Sequence, residues 1–249
     1  MKGAEEINPY NDELSKGEQV EAMFDNIAPA YDFMNTAMTF GMHRHWLASA
    51  LKALKSSVSS LNPVEILDMA TGTGDVALKL AEIYPDADIK GVDLSEGMLA
   101  VAREKAVAAG MQERISFVQS DCLALPFADD SFDVLTIAYG VRNFENLMKG
   151  FKEFFRVLRP GGKCMILELS RPENKLIRVG YDLYSRTLIP LVGRLVSRDR
   201  RAYSYLPESV AAMPPRRRLV EMLREAGFGE VSFKSLTLGA VTYYIATKL

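Results

Sequence analysis

From residue 64 onward, short apolar runs alternate with amphipathic stretches, and this alternation restricts the possible folds more than any other property of the chain. The runs 64–69, 88–92, 115–119, 134–138 and 163–169 are too short for helices. Their near-continuous hydrophobicity is that of strands covered on both faces. Between them, 75–83, 95–109 and 147–158 carry helical spacing, with Ser95 placed as an N-cap. Gly161-Gly162 after Arg159-Pro160 reads as the stop of the last of these helices and the turn into the next strand. Strand–helix alternation predicts a parallel α/β sheet with helices on both sides. The end of the chain breaks this pattern. A helix over 216–226 stops at Gly227, and two strand-like runs, 230–236 and 241–247, follow with four residues between them. So short a link cannot make a parallel crossover, so these two strands are expected to pair antiparallel.

At 249 residues, one core with decorations accounts for the whole chain. Residues 1–15 read as a flexible N-terminus and 16–60 as a helical cap, with helices over 16–26 and 43–57. Residues 61–170 form the central α/β unit, 171–215 a helical lid insert, and 216–249 the final helix and hairpin. A net charge of −2 offers no global field for a nucleic acid, and none is expected as a partner. Cys122 and Cys164 read as small buried thiols rather than a disulfide framework. His43 and His45 lack cysteine or carboxylate neighbours at ligand spacing, so no metal site is expected. Residues 1–13 lack the basic and apolar regions of a secretory signal, and no apolar run reaches the roughly 18–20 residues of a membrane span. A cytoplasmic location is the expectation.

The turn after the first strand, Ala70-Thr71-Gly72-Thr73-Gly74-Asp75, satisfies the loose pattern G-x-G-x-x-A, which a dinucleotide site and other nucleoside sites share. Glycines let a strand-to-helix turn pass close beneath a bound nucleoside. The acids separate the readings. Asp93 closes the second strand nineteen residues after Gly74, where a carboxylate accepts from both ribose hydroxyls. Asp121, followed by Cys122, closes the third strand at the place of an adenine edge, and Asp68 precedes the loop. Carboxylates suit a sulfonium and an ammonium, whereas a pyrophosphate calls for helix-terminal N–H groups and little negative charge. The cofactor expected is S-adenosyl-L-methionine, held by Asp68, Gly72, Thr73, Gly74, Asp93, Asp121 and Cys122. Leu125-Pro126-Phe127-Ala128-Asp129-Asp130-Ser131-Phe132-Asp133, leading into a strand, resembles a stretch common in class I methyltransferases. With the terminal hairpin, this resemblance implies a class I, Rossmann-like methyltransferase fold with a seven-stranded sheet ending in an antiparallel hairpin.

Two longer stretches carry a family resemblance. Tyr31-Asp32-Phe33-Met34-Asn35, continuing through Thr39 to His43 and Trp46, resembles the N-terminal signature of the C-methyltransferases of menaquinone and ubiquinone biosynthesis. Arg156-Val157-Leu158-Arg159-Pro160-Gly161-Gly162, continuing to Glu168 and Ser170, resembles their C-terminal signature. Tyr139-Gly140-Val141-Arg142-Asn143 is similar to a family segment after the fourth strand. Ala70 stands where the wider pattern has its first glycine, a change expected to leave adenosine binding intact, because the turn is expected not to be left-handed and a methyl-bearing side chain fits such turns.

The resemblance implies methylation of a ring carbon in a reduced naphthoquinol or benzoquinol with an isoprenoid tail, and overall similarity favours demethylmenaquinol. The carbon becomes nucleophilic as the neighbouring phenol loses its proton. Arg142, always protonated, is expected to stabilise that oxygen while water takes the proton, with Asn143 orienting it. Replacing Arg142 by Ala is then expected to lower turnover and spare cofactor binding. Tyr31, Asp32, Asn35 and His43 are assigned to the substrate side. Residues 171–218 hold eleven Lys/Arg against four Asp/Glu, with apolar residues interleaved. Such a stretch suits a lid that admits a lipid tail and makes peripheral contact with anionic membrane. The sequence leaves a homo-oligomer open. The competing readings are an NAD(P)-dependent oxidoreductase, a methyltransferase of RNA or another small molecule, and a non-catalytic quinone carrier.

Overall fold

The computed structural model describes residues 3–10, 13–58, 65–196 and 200–249. The start of the first expected strand at residue 64, and Arg198 and Asp199 of the basic insert, lie outside the described residues. Seven strands form one sheet among them: β1 (Glu65–Met69), β2 (Asp88–Asp93), β3 (Ile115–Gln119), β4 (Phe132–Ala138), β5 (Leu158–Leu169), β6 (Glu230–Leu236) and β7 (Val241–Thr247). Their order across the sheet is β3-β2-β1-β4-β5-β7-β6. β1 to β5 run parallel, and β7 enters antiparallel between β5 and β6, with Lys163 opposite Thr247 and Leu169 opposite Val241.

Alternation along the central strands supplies two hydrophobic layers. Leu67, Met69, Leu135 and Ile137 point to a core completed by α6 (Leu147–Val157) and α9 (Arg216–Glu225), through Phe151, Phe154, Leu219 and Leu223. Ile66, Val134, Met165 and Leu167 point to the other face, covered by α3 (Met42–Ser57) and α4 (Asp75–Ile83). Trp46 of α3 is buried there, and its indole N–H donates to Thr237 Oγ1 at 2.7 Å. The helix α5 (Glu96–Ala108) starts at Ser95, whose hydroxyl accepts from Met98 N.

Three features differ from the sequence reading. α6 ends at Val157 and β5 begins at Leu158, so Gly161-Gly162 does not end the helix. Pairing with β4 jumps from Phe132–Leu158 to Val134–Lys163, and the glycines lie in the resulting bulge. Gly161, at φ +82°, has its N–H on Lys248 O, a conformation an L side chain resists. Residues 3–6 are not a free tail: Ala4 is buried in a 3₁₀ turn, and Glu5 Oε1 accepts from Leu147 N at 2.7 Å. Tyr31-Asp32-Phe33-Met34-Asn35 opens a separate helix, α2 (Tyr31–Thr39), between α1 (Lys16–Ile27) and α3. The insert forms α7 (Lys175–Val196) and α8 (Arg200–Ala212), which pack on each other, and α7 also packs on α2. Among the described residues no helix is long and apolar enough to cross a membrane.

Candidate active site

Strand order reverses beside β1, whose neighbours are β2 and β4, and a crevice opens at the carboxyl ends of these strands. A cavity of about 250 Å³ occupies it, floored by Ala70 and Gly72 and edged by Asp93, Leu94, Asp121 and Cys122. Gly72 has φ +56°, and an added Cβ would meet only Tyr31, 4.0 Å away. Gly74 is also left-handed, at φ +83°, and in addition serves packing: a Cβ there would lie 3.0 Å from Ala102 Cβ of α5. Ala70 has φ +47°, so the expectation that its turn would not be left-handed is corrected. The next residue is anchored to β2, with Thr71 N donating to Val92 O at 2.9 Å.

Asp93 accepts from Gly72 N at 2.8 Å and Ser95 N at 3.0 Å, and burial raises its pKa to about 6. Each of its oxygens keeps acceptor capacity beyond these bonds. Asp121 caps the next turn through Leu123 N at 2.8 Å. The Cys122 thiol is pushed far up by burial, so it lines the cavity as a neutral group. Asp68 does not reach the cavity. It sits beneath the loop, accepting from the Thr71 and Thr136 hydroxyls at 2.6 Å each, and burial raises its pKa to about 7. Thr73 is turned away as well, its hydroxyl donating to Asp32 Oδ1 at 2.6 Å.

Five acids line this cavity, Glu18, Glu21, Asp93, Asp121 and Glu145, and no Lys, Arg or His is among the described residues that do. This lining favours a cationic guest and opposes a pyrophosphate. The residues therefore fit S-adenosylmethionine, which carries a sulfonium and an ammonium, better than a dinucleotide.

A second cavity of about 400 Å³ adjoins the first, enclosed by α1, α2, α3, α7 and α8. Tyr31, Asn35, His43 and Arg142 line it among apolar side chains that include Met23, Met34, Met38 and Trp46. Phe24, Tyr31 and Tyr139 line both cavities and form the wall between them. Asp32 lines neither; it ties α2 to the glycine loop through Thr73 and to α5 through Lys105 Nζ at 2.9 Å. Asn143 faces the acidic cavity, with its Oδ1 accepting from the Tyr205 hydroxyl of α8 at 3.1 Å.

Arg142 lies in a 3₁₀ turn after β4. Its Nη1 reaches Glu168 Oε1 at 3.1 Å and also bonds Tyr139 O. Glu168 is itself held by Arg142 N at 3.2 Å and Leu169 N at 2.8 Å. Burial opposes the guanidinium charge, yet the facing Glu168 holds its pKa above the ordinary value. Arg142 Nε and the Tyr139 hydroxyl are buried and meet no hydrogen-bond partner among the described residues, so both can donate to a guest. His43 Nδ1 pairs with Thr39 Oγ1 at 2.9 Å, and burial, with Arg44 beside it, lowers the imidazole pKa.

Glu168, Tyr139 and Phe24 are site residues that sequence reasoning did not select. Glu168 carried a signal, since it is one more acid at a strand end after Asp68, Asp93 and Asp121. Phe24 carried none, because its contact depends on how α1 folds back over the sheet. At the mouth of the larger cavity, Phe40 and Leu238 are 77% and 74% exposed although they line it. α7 presents Leu176, Val179 and Leu183 to solvent along one helical stripe.

The profile of the ubiE/COQ5 methyltransferase family matches residues 12–248. A demethylmenaquinone methyltransferase of Bacteroides fragilis is 44% identical over 98% of this chain and 98% of its own length. A ubiquinone/menaquinone biosynthesis C-methyltransferase UbiE of Geobacter sulfurreducens is 40% identical over 94% of this chain and 90% of its own. Among solved structures, a phosphoethanolamine N-methyltransferase of Haemonchus contortus, in complex with S-adenosylhomocysteine and phosphomonomethylethanolamine, superposes with a TM-score of 0.61. At 18% identity, covering 81% of this chain and 52% of that one, it establishes the likeness of fold alone.

Proposed function

This chain belongs to the ubiE/COQ5 methyltransferase family, and from that premise we propose that it transfers the methyl group of S-adenosylmethionine to a ring carbon of demethylmenaquinol. The observation that carries this reading is the pair of cavities: one acidic, the other apolar and holding Arg142, with Phe24, Tyr31 and Tyr139 between them. A cationic donor on one side and an isoprenoid quinol on the other would meet at that wall.

When bound, S-adenosylmethionine supplies an electrophilic methyl group on sulfur. Asp93 would hold its ribose hydroxyls and Asp121 its adenine amino group, while Ala70 and Gly72 leave room above the loop. The Arg142 guanidinium cannot act as a base near neutral pH, so the phenolic proton passes to water and Arg142 stabilises the oxygen left behind. Once the methyl has moved from sulfur to the ring carbon, that carbon gives up its own hydrogen as a proton to water and the ring becomes aromatic again. Glu168 positions the guanidinium through its charged hydrogen bond, and the unpaired Nε–H adds a donor. Tyr31, Asn35 and His43 would set the ring against the wall, with His43 neutral at pH 7. Tyr139, whose phenol is held neutral by burial and by Glu168, closes the wall without adding charge. Aligning carbon, methyl and sulfur can contribute on the order of 7–11 kcal/mol of the barrier reduction.

Flexible methionines and an apolar lining suit a tail of many equivalent units. The exposed Leu176 and Val179 within the basic 171–218 segment, with the exposed Phe40 and Leu238 at the cavity mouth, support peripheral contact with anionic lipid. Co-sedimentation with anionic vesicles at low salt tests this, and absence of binding refutes it. The substrate is tested by mass spectrometry of quinones in a strain lacking the endogenous enzyme. Restoring this chain converts accumulated demethylmenaquinone to menaquinone; methylation of the benzoquinone intermediate alone would assign the ubiquinone pathway instead, and restoration of neither would overturn the proposal.

A further inference from the structure

Lys16 is 5% exposed, although it is the first residue of α1. Its Nζ donates to three backbone carbonyls: Ala4 O at 2.5 Å, Phe144 O at 3.1 Å and Arg142 O at 3.3 Å. An ammonium has three donors, and all three are used. The charged groups around it are Glu5 and Glu145, which favour the ammonium, and Arg142, which opposes it. Burying a cation on neutral carbonyls is an expensive way to fill space, and an apolar side chain would fill it more cheaply. What the ammonium adds is connection, because its three acceptors belong to two separate segments, one twelve residues before Lys16 and one 126 to 128 residues after it.

The first is the 3₁₀ turn at Ala4–Glu6, whose Glu5 also caps the start of α6. The second is the turn Val141–Asn143 that carries Arg142 and Asn143, together with Phe144 just beyond it. α1 itself presents Gly17, Glu18, Glu21 and Phe24 to the acidic cavity. The residue that opens this covering helix therefore grips the turn that aims Arg142.

The geometry assigns Lys16 as a positioning residue, the latch through which closure of α1 over the cofactor cavity sets Arg142 against the acceptor. The assignment rests on reading the acidic cavity as the S-adenosylmethionine site. Without the latch, α1 and the Val141–Asn143 turn are joined only by weaker packing, so cofactor capture and Arg142 placement become separate events.

The test uses full-length wild type, Lys16→Met and Lys16→Arg, with S-adenosylhomocysteine as the probe. Calorimetry gives its affinity, steady-state kinetics give kcat and the quinol KM, and hydrogen exchange follows residues 16–24 and 141–145. In wild type, the probe is expected to slow exchange in both segments together. Lys16→Met, folded as judged by its melting transition, is expected to bind the probe about tenfold more weakly and to lose about tenfold in kcat, with less than about a twofold change in quinol KM. Its 141–145 segment no longer gains protection on binding, and Lys16→Arg restores most of both losses. Unchanged affinity and kcat in folded Lys16→Met overturns the assignment. If Lys16→Met does not fold, wild type carries the test: protection of one segment without the other overturns it. Failure of wild type to bind S-adenosylhomocysteine at all would instead refute the reading of the acidic cavity.

Discussion

Replacing Arg142 reads differently once its partner is known. Arg142 and Glu168 are 8% and 2% exposed at their side chains, so Arg142→Met leaves a buried carboxylate with two backbone N–H donors and no counter-charge. Breaking such a pair from one side costs about 3–5 kcal/mol. In a domain of this size that lowers the melting temperature by on the order of 10 °C. The single variant therefore mixes a catalytic loss with a folding loss. Arg142→Met combined with Glu168→Leu separates them, because an apolar pair of similar volume removes the stranded charge. Scanning calorimetry is expected to show most of the stability recovered in the double variant. Turnover stays about 10²–10³-fold below wild type in both, the scale of losing one oxyanion donor. Affinity for S-adenosylhomocysteine in the double variant is expected to stay within about twofold of wild type, since Arg142 faces the other cavity. Recovery of turnover together with stability would show that Arg142 has only a structural role.

Asp93 predicts a pH dependence. Ribose hydroxyls donate more strongly to the charged carboxylate than to the acid, which loses its charge and turns one oxygen into a donor. Affinity for S-adenosylhomocysteine should therefore be level above about pH 7 and fall as pH drops through about 6. Stability responds in the opposite sense: the folded-state pKa lies above the ordinary 3.8, so Asp93 favours folding at low pH and that contribution is lost as pH rises through about 6. Calorimetric titrations between pH 5 and 8 check the first part, and a flat profile contradicts it. Gly140→Ala places a Cβ 2.6 Å from Ala70 Cβ and 3.0 Å from Ile137 Cδ1. Neither the Ala70 methyl nor the loop behind it can rotate away, so a loss of about 1–3 kcal/mol is expected, with weaker cofactor binding because Ala70 floors the cavity. Unchanged melting and affinity would show that the loop has slack.

Local pattern sufficed for the strands and most of their helices. Alternation sets which residues of β1, β4 and β5 point to each layer, and the four-residue link fixes the antiparallel pairing of β6 with β7. The strand-end acids could be found because the parallel α/β topology brings strand ends to one edge, and Asp93 and Asp121 both line the cavity there. The glycine loop could be located, but not the jobs within it: Gly72 faces the cavity, Gly74 packs on α5, and Thr73 is spent on Asp32. Those assignments depend on which neighbours arrive from α2 and α5, and no spacing in the loop encodes that. The same holds for the bulge at Gly161, made by the last residues of the chain bonding back to it.

The glycine turn, the strand-end acids and the two flanking signatures are contiguous or periodic, so the covalent chain alone was enough to name the cofactor class and the family resemblance. The wall of Phe24, Tyr31 and Tyr139, the Arg142–Glu168 pair and the Lys16 latch join residues up to about 130 positions apart. They exist because α1 and α2 fold back over the crevice at the carboxyl edge of the sheet. Only that return brings an ammonium from the first helix onto the carbonyls of the turn that aims the guanidinium.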